Sequence, residues 1–126
     1  MFRNFILAFL HIIVISILST HQSFASHDHK EKWYQEHWCA ANQGNVEVIL
    51  PDKTRADCIT ATHAVEFDFG EKWAEAIGQS LYYALQTGKR AGVVLIIETP
   101  DDRKYFIRLN STIEHFKLPI DAWELH

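Results

Sequence analysis

Ala64-Val65-Glu66-Phe67-Asp68-Phe69, followed by a helical stretch from Glu71 to Thr87 and then by Val93-Val94-Leu95-Ile96-Ile97, is the part of the chain that decides the fold. In the first run the side chains alternate, with Val65, Phe67 and Phe69 on one face of a strand and Ala64, Glu66 and Asp68 on the other. In the second, Trp73, Ala76, Ile77, Ser80, Leu81, Ala84 and Leu85 fall on one helical face, and Gly88 suits a left-handed C-terminal cap. The third run has no polar alternation at all. It reads as a central strand covered on both faces.

Working outward toward the N-terminus, Trp33, Tyr34, His37, Trp38 and Ala41 recur at helical spacing within residues 30–41, with Gly44 as a stop. Val46, Val48 and Leu50 alternate with Asn45, Glu47 and Ile49, and Pro51-Asp52-Lys53 makes a turn, so residues 45–50 and 54–60 read as a hairpin. Toward the C-terminus, Pro100-Asp101-Asp102 is a turn or N-cap, and Tyr105, Phe106, Leu109, Thr112, Ile113 and Phe116 mark another helix. A short strand closes the chain at Ile120 to Leu125. The order αβββαβαβ implies one mixed α/β sheet with helices packed on it.

The chain has 126 residues, 48% hydrophobic, 13% aromatic and 22% charged, which suits one folded domain and excludes disordered or low-complexity classes. Residues 1–25 differ from the rest. A single charge, Arg3, precedes the apolar run Phe5 to Leu18 and then Ser23-Phe24-Ala25, the pattern of a secretory signal peptide cleaved after Ala25. A membrane anchor is the rival reading, but a run of 14 residues falls short of the roughly 20 needed to span a bilayer. The expectation is a periplasmic or secreted domain at 26–126, with no stable membrane association after cleavage. Its formal charge would be −5, since the full chain carries −4 and loses one arginine. Cys39 and Cys58 form an even pair that invites a disulfide in an oxidising compartment; two buried thiols satisfy the same count.

Pairing of the second and third strands in hairpin register would bring Asp57, Glu66 and Asp68 to one side of the sheet. Three carboxylates so close repel one another unless a cation sits among them or a proton is taken up. An all-oxygen set suits Mg²⁺, Mn²⁺ or Ca²⁺. Lys72, Glu75 or Ala76, Gln79 and Tyr83 form a polar stripe on the following helix that could face such a site. Acids on an outer strand face and a polar helix stripe are also what a solvated surface carries.

Asp57, the Glu66-Phe67-Asp68 triplet and the Gln79 to Tyr83 spacing resemble the PD-(D/E)xK nuclease superfamily, in its RecB-type branch with a Gln-xxx-Tyr helix. The resemblance implies a restriction-endonuclease-like αβββαβ core, here followed by a C-terminal helix and short strand. It further implies that Asp57 and Glu66 bind Mg²⁺ or Mn²⁺ and that Gln79 and Tyr83 hold a DNA or RNA strand. Glu36 on the first helix could supply the extra acid some members carry, with Glu47 a lesser candidate. The chain departs from the motif at Asp68, where the superfamily has lysine. Asp68 then becomes a third ligand or outer-shell acid, and Lys72 is placed to supply the missing amine.

The resulting expectation is an exported metal-dependent nuclease hydrolysing phosphodiester bonds, with a homodimer possible. Its competitor keeps the fold without the chemistry, as a secreted binding module. Other features read as structural: His27-Asp28-His29 as a frayed terminus or a Cu²⁺ or Ni²⁺ trap, His37 and His63 as packed histidines, and Ser80 as lacking a nucleophile context. Lys89-Arg90 and Arg103-Lys104 with Arg108 could contact phosphates or simply solubilise helix ends.

Overall fold

The computed structural model describes residues 26–126, and the expected signal segment at 1–25 lies outside the described residues. In chain order come α1 (Glu31–Ala41), β1 (Asn45–Ile49), β2 (Arg55–Ile59), β3 (His63–Phe69), α2 (Trp73–Thr87), β4 (Arg90–Ile96), α3 (Arg103–Phe116) and β5 (Ile120–Leu125). Short 3-10 turns at Gly70–Lys72 and Pro100–Asp102 lead into α2 and α3. The expected order of elements is therefore present, and the class is mixed α/β.

The strands form one sheet in the order β1-β2-β3-β4-β5. β1, β2 and β3 pair antiparallel, whereas β3, β4 and β5 pair parallel. Antiparallel neighbours need only a turn between them, and Pro51-Asp52-Lys53 and Thr60 to Thr62 supply two. Parallel neighbours need a crossover, which α2 and α3 provide. Because the strand order advances in one direction, crossovers of one hand put both helices on the same face of the sheet.

The core has two sides. Val93, Leu95 and Ile97 pack with Ala76 of α2 and Leu109 of α3. Val94 packs on the opposite face with Val65, Phe67, Cys39 and Cys58, and Ile96 with Phe69 and Tyr34 of α1. The uninterrupted apolar run of β4 follows from burial on both faces.

Cys39 and Cys58 are joined by a disulfide with their Cα atoms 6.0 Å apart, tying α1 to β2. Closing a loop of this length contributes about 3 kcal/mol, a useful share for a domain of roughly a hundred residues. The bond also corrects the expected face of α1. Tyr34, Gln35 and Cys39 are buried, while Trp33 and His37 of the expected stripe are exposed, because Cys39 must face β2. Gly44 has a different role from the one expected. The left-handed residue ending α1 is Gln43, at φ 56, whereas a Cβ on Gly44 would lie 2.6 Å from Cys58 Sγ and 2.7 Å from Cys39 Sγ.

The His27-Asp28-His29 segment, expected to be frayed, is docked. His27 stacks on Phe69 with ring centroids 3.5 Å apart and reaches Glu98 Oε1 at 3.1 Å, and the Asp28 N–H donates to Glu98 Oε2. Among the described residues no helix is long and apolar enough to cross a membrane.

Candidate active site

The β2–β3 ladder pairs Ile59 with Ala64 and Cys58 with Val65 and goes no further. Beyond that point the Phe67 N–H donates to Asp57 Oδ2, at 2.8 Å, so a side chain takes the place of a backbone carbonyl. On the other side of Asp57 the register set by Val46 with Cys58 and Val48 with Ala56 puts Glu47 opposite it. Glu47 sits at φ 50, the left-handed region that non-glycine residues rarely take in a strand. The β2–β3 ladder thus opens beside Asp57, while the β1–β2 pairing continues past it.

A cleft of about 570 Å³ opens in this fork. Asp57, Glu66 and Asp68 line its sheet side, Lys72 of the first 3-10 turn and Glu75, Gln79 and Tyr83 of α2 line another, and Glu31 enters from α1. Ile49, Lys53, Thr54 and Arg55 of the β1–β2 hairpin complete the rim. The Tyr82 hydroxyl donates to Asp52 at the hairpin tip, which holds that rim against α2.

Glu66 and Asp68 are each only 5% exposed, so they are not a solvated strand face. Burial, then the neighbouring charge of Asp57 and a hydrogen bond to it, pushes the Glu66 carboxyl up to about 10. Asp57 and Glu66 titrate as a pair, and burial of both favours a proton held between them. Burial also raises Asp57 above the ordinary aspartate range. Asp68 is pushed up to about 7 by burial and by the charge of Glu31, against the opposing pull of Lys72. Glu31 is raised as well, by burial first and then by Asp57. Burial lifts the Tyr83 phenol, with Glu66 and Asp57 adding to the effect.

Burial and mutual repulsion favour proton uptake by this group. A divalent cation would relieve the same repulsion, and Glu66 Oε2 is buried without a hydrogen-bond partner. Hard oxygen donors of this kind fit Mg²⁺ or Mn²⁺. Among the described residues, however, no three His, Cys, Asp or Glu side chains are gathered closely enough to form a finished metal site. The carboxylates line one cleft and would have to close on an ion.

Of the residues singled out in the sequence, Asp57, Glu66, Asp68, Lys72, Gln79 and Tyr83 all line the cleft. Glu36 does not; it is exposed on α1, 3.8 Å from Lys32 Nζ. The α1 acid that does reach the cleft is Glu31, and Gln35 Nε2 donates to Glu31 Oε1 at 2.9 Å. The sequence signal for it was available, since Glu31 and Gln35 share the helical face that carries Cys39. Arg55 and Lys53 were also missed as cleft residues. They sit on a hairpin whose tip gave no chemical signal.

The remaining candidates are placed elsewhere. His63 Nε2 meets Asp121 Oδ2 at 2.7 Å, and Asp121 is also gripped by Arg90, so this histidine ties strand ends together. Ser80 is buried and donates to the Ile77 carbonyl. Lys89 Nζ donates to the Ala61 carbonyl, and Arg103 lies 3.7 Å from Glu124. No family model, curated protein or solved structure matches the chain.

Proposed function

We propose that the protein is an exported, divalent-cation-dependent phosphodiesterase acting on nucleic acid, built on a PD-(D/E)xK-type core. The observation that carries this reading is the cleft in the β2–β3 fork, where Asp57, Glu66, Asp68 and Glu31 are all held above their ordinary titration range. The order α1-β1-β2-β3-α2-β4 supports it, as does the arrival of Lys72, Gln79 and Tyr83 at the same cleft. The disulfide supports export, because such bonds persist in oxidising compartments.

Asp57 and Glu66 would hold Mg²⁺ or Mn²⁺, with Glu31 entering from α1. The cation would polarise the phosphate and lower the pKa of water. Asp68, titrating about 7, is suited to accept the proton of the attacking water near neutral pH. Lys72 faces Asp68 and takes the electrostatic role of the missing motif lysine, at the phosphoryl oxygen. Gln79 and Tyr83 line the wall along which a strand would pass.

The test is incubation with plasmid and with single-stranded nucleic acid in Mg²⁺ or Mn²⁺, beside an Asp57→Ala control. Cation-dependent cleavage lost in the control is the expected result. Cleavage surviving in the control overturns the assignment. One observation favours a binding module with a degenerate site instead: the acids are not gathered at ligating distance. Absence of cleavage in every metal would put that reading ahead.

A further inference from the structure

Five carboxylates line the cleft (Glu31, Asp57, Glu66, Asp68 and Glu75) against three cations (Lys53, Arg55 and Lys72). With every group ionised the cleft carries −2, and one divalent ion only brings it to neutrality. Nothing is left over to attract a polyanion from a distance. Among the described residues most cations outside the cleft are engaged elsewhere, and Lys30 and Lys117 are exposed away from its lining. Of the other cations, Arg90 is paired with Asp121, Arg103 with Glu124 and Lys32 with Glu36, and Lys89 is bound to a backbone carbonyl. Lys104 and Arg108 lie over the Tyr105 ring on α3. The whole chain is net negative.

A protein that grips duplex DNA typically neutralises about six to ten phosphates. This cleft offers three cations, on one rim and at one end. It does offer surface for a base: Ile49 is 62% exposed at the hairpin edge of the cleft, and the Tyr83 ring lies in the wall. Apolar and aromatic surface beside a few phosphate contacts is the recipe for single strands, whose unstacked bases have a free face. A duplex hides those faces and presents little but phosphates.

From this charge count and these two side chains we infer that the substrate is a short single-stranded oligonucleotide, or a single-stranded end, contacted at no more than three phosphates through Lys53, Arg55 and Lys72. The inference rests on the phosphodiesterase reading and narrows it. It has a quantitative signature in salt. Binding to a single strand weakens with a log–log slope of about −0.7 per phosphate neutralised, so three contacts give about −2. A duplex held by six to ten contacts would give a slope of about −5 to −9.

The test compares a labelled thymidylate hexamer with a labelled duplex of some 30 base pairs, both in Mn²⁺, over a range of salt concentrations. The expected result is that the hexamer is cleaved at least about tenfold faster per phosphodiester, with kcat/KM falling at a slope near −2. Arg55→Ala is expected to reduce that slope by about 0.7. Equal or faster cleavage of the duplex, or a slope of −5 or steeper on the hexamer, overturns the inference while leaving hydrolysis in place. If neither substrate is cleaved, the phosphodiesterase reading itself fails, and the substrate assignment falls with it.

Discussion

Replacing Glu66 with glutamine removes one buried proton-binding group while keeping its shape, and the consequence for stability has a definite sign. The folded protein holds the Glu66 proton up to about 10, whereas the ordinary glutamate value is 4.5. Between those limits the folded state binds one proton more than the unfolded state. Stability from this group is therefore complete below the unfolded value and is lost as pH rises toward the folded one, at about 1.4 kcal/mol per pH unit. From pH 5 to pH 8 that is a loss of about 4 kcal/mol, a large part of the 5–15 kcal/mol typical of a domain. Asp68, titrating about 7 against an ordinary 3.8, adds a second proton to the slope below neutrality. Urea unfolding followed by tryptophan fluorescence, in chelator at pH 5, 6.5 and 8, measures the effect. The wild type is expected to lose stability across the series, and Glu66→Gln to lose about 4 kcal/mol less of it. Parallel curves for the two proteins, or a wild type that gains stability as pH rises, would refute the reasoning.

Other consequences follow from the same geometry. Gly44→Ala places a methyl group against both sulfurs of the Cys39–Cys58 bond, and denaturant unfolding should show a loss of about 1–3 kcal/mol. Removing the bond as Cys39→Ala with Cys58→Ala should lower stability by about 3 kcal/mol in the same assay. Lys72→Ala takes away the cation that holds Asp68 down, so the acid limb of the pH–rate profile should move to higher pH; a profile displaced downward or unmoved counts against Asp68 as proton acceptor.

The architecture was largely legible because three runs of sequence speak different periodic languages. Val65, Phe67 and Phe69 alternate, Trp73 to Leu85 repeat at helical spacing, and Val93 to Ile97 do neither, which suits a strand buried on both sides. Alternation also placed Asp57, Glu66 and Asp68 on one face, and the cleft brings them together. Orientation of α1 was not legible. Trp33, His37 and Ala41 make as good a stripe as Tyr34, Gln35 and Cys39, and only the disulfide, a long-range constraint, chooses between them. That choice swings Glu36 outward and Glu31 inward. The opening of the β2–β3 ladder at Asp57 was hidden too, since it depends on a side chain capturing the Phe67 N–H, and so was the left-handed φ of 50 at Glu47. Neither is a matter of residue type alone. His27 likewise reads as a loose terminal residue until Phe69, Glu98 and Glu71 are seen to surround it.

Everything proposed for the cleft depends on one exchange, a divalent cation taking the place of the proton held between Asp57 and Glu66. Calorimetric titration of Mn²⁺ at pH 7.5, repeated in buffers of different ionisation enthalpy, measures it directly, because metal binding to a protonated ligand set must release protons. The account predicts binding with release of about one proton per site, abolished in both Glu66→Gln and Asp57→Asn. Absence of binding in every buffer, or binding that releases no proton and survives in both variants, would contradict it.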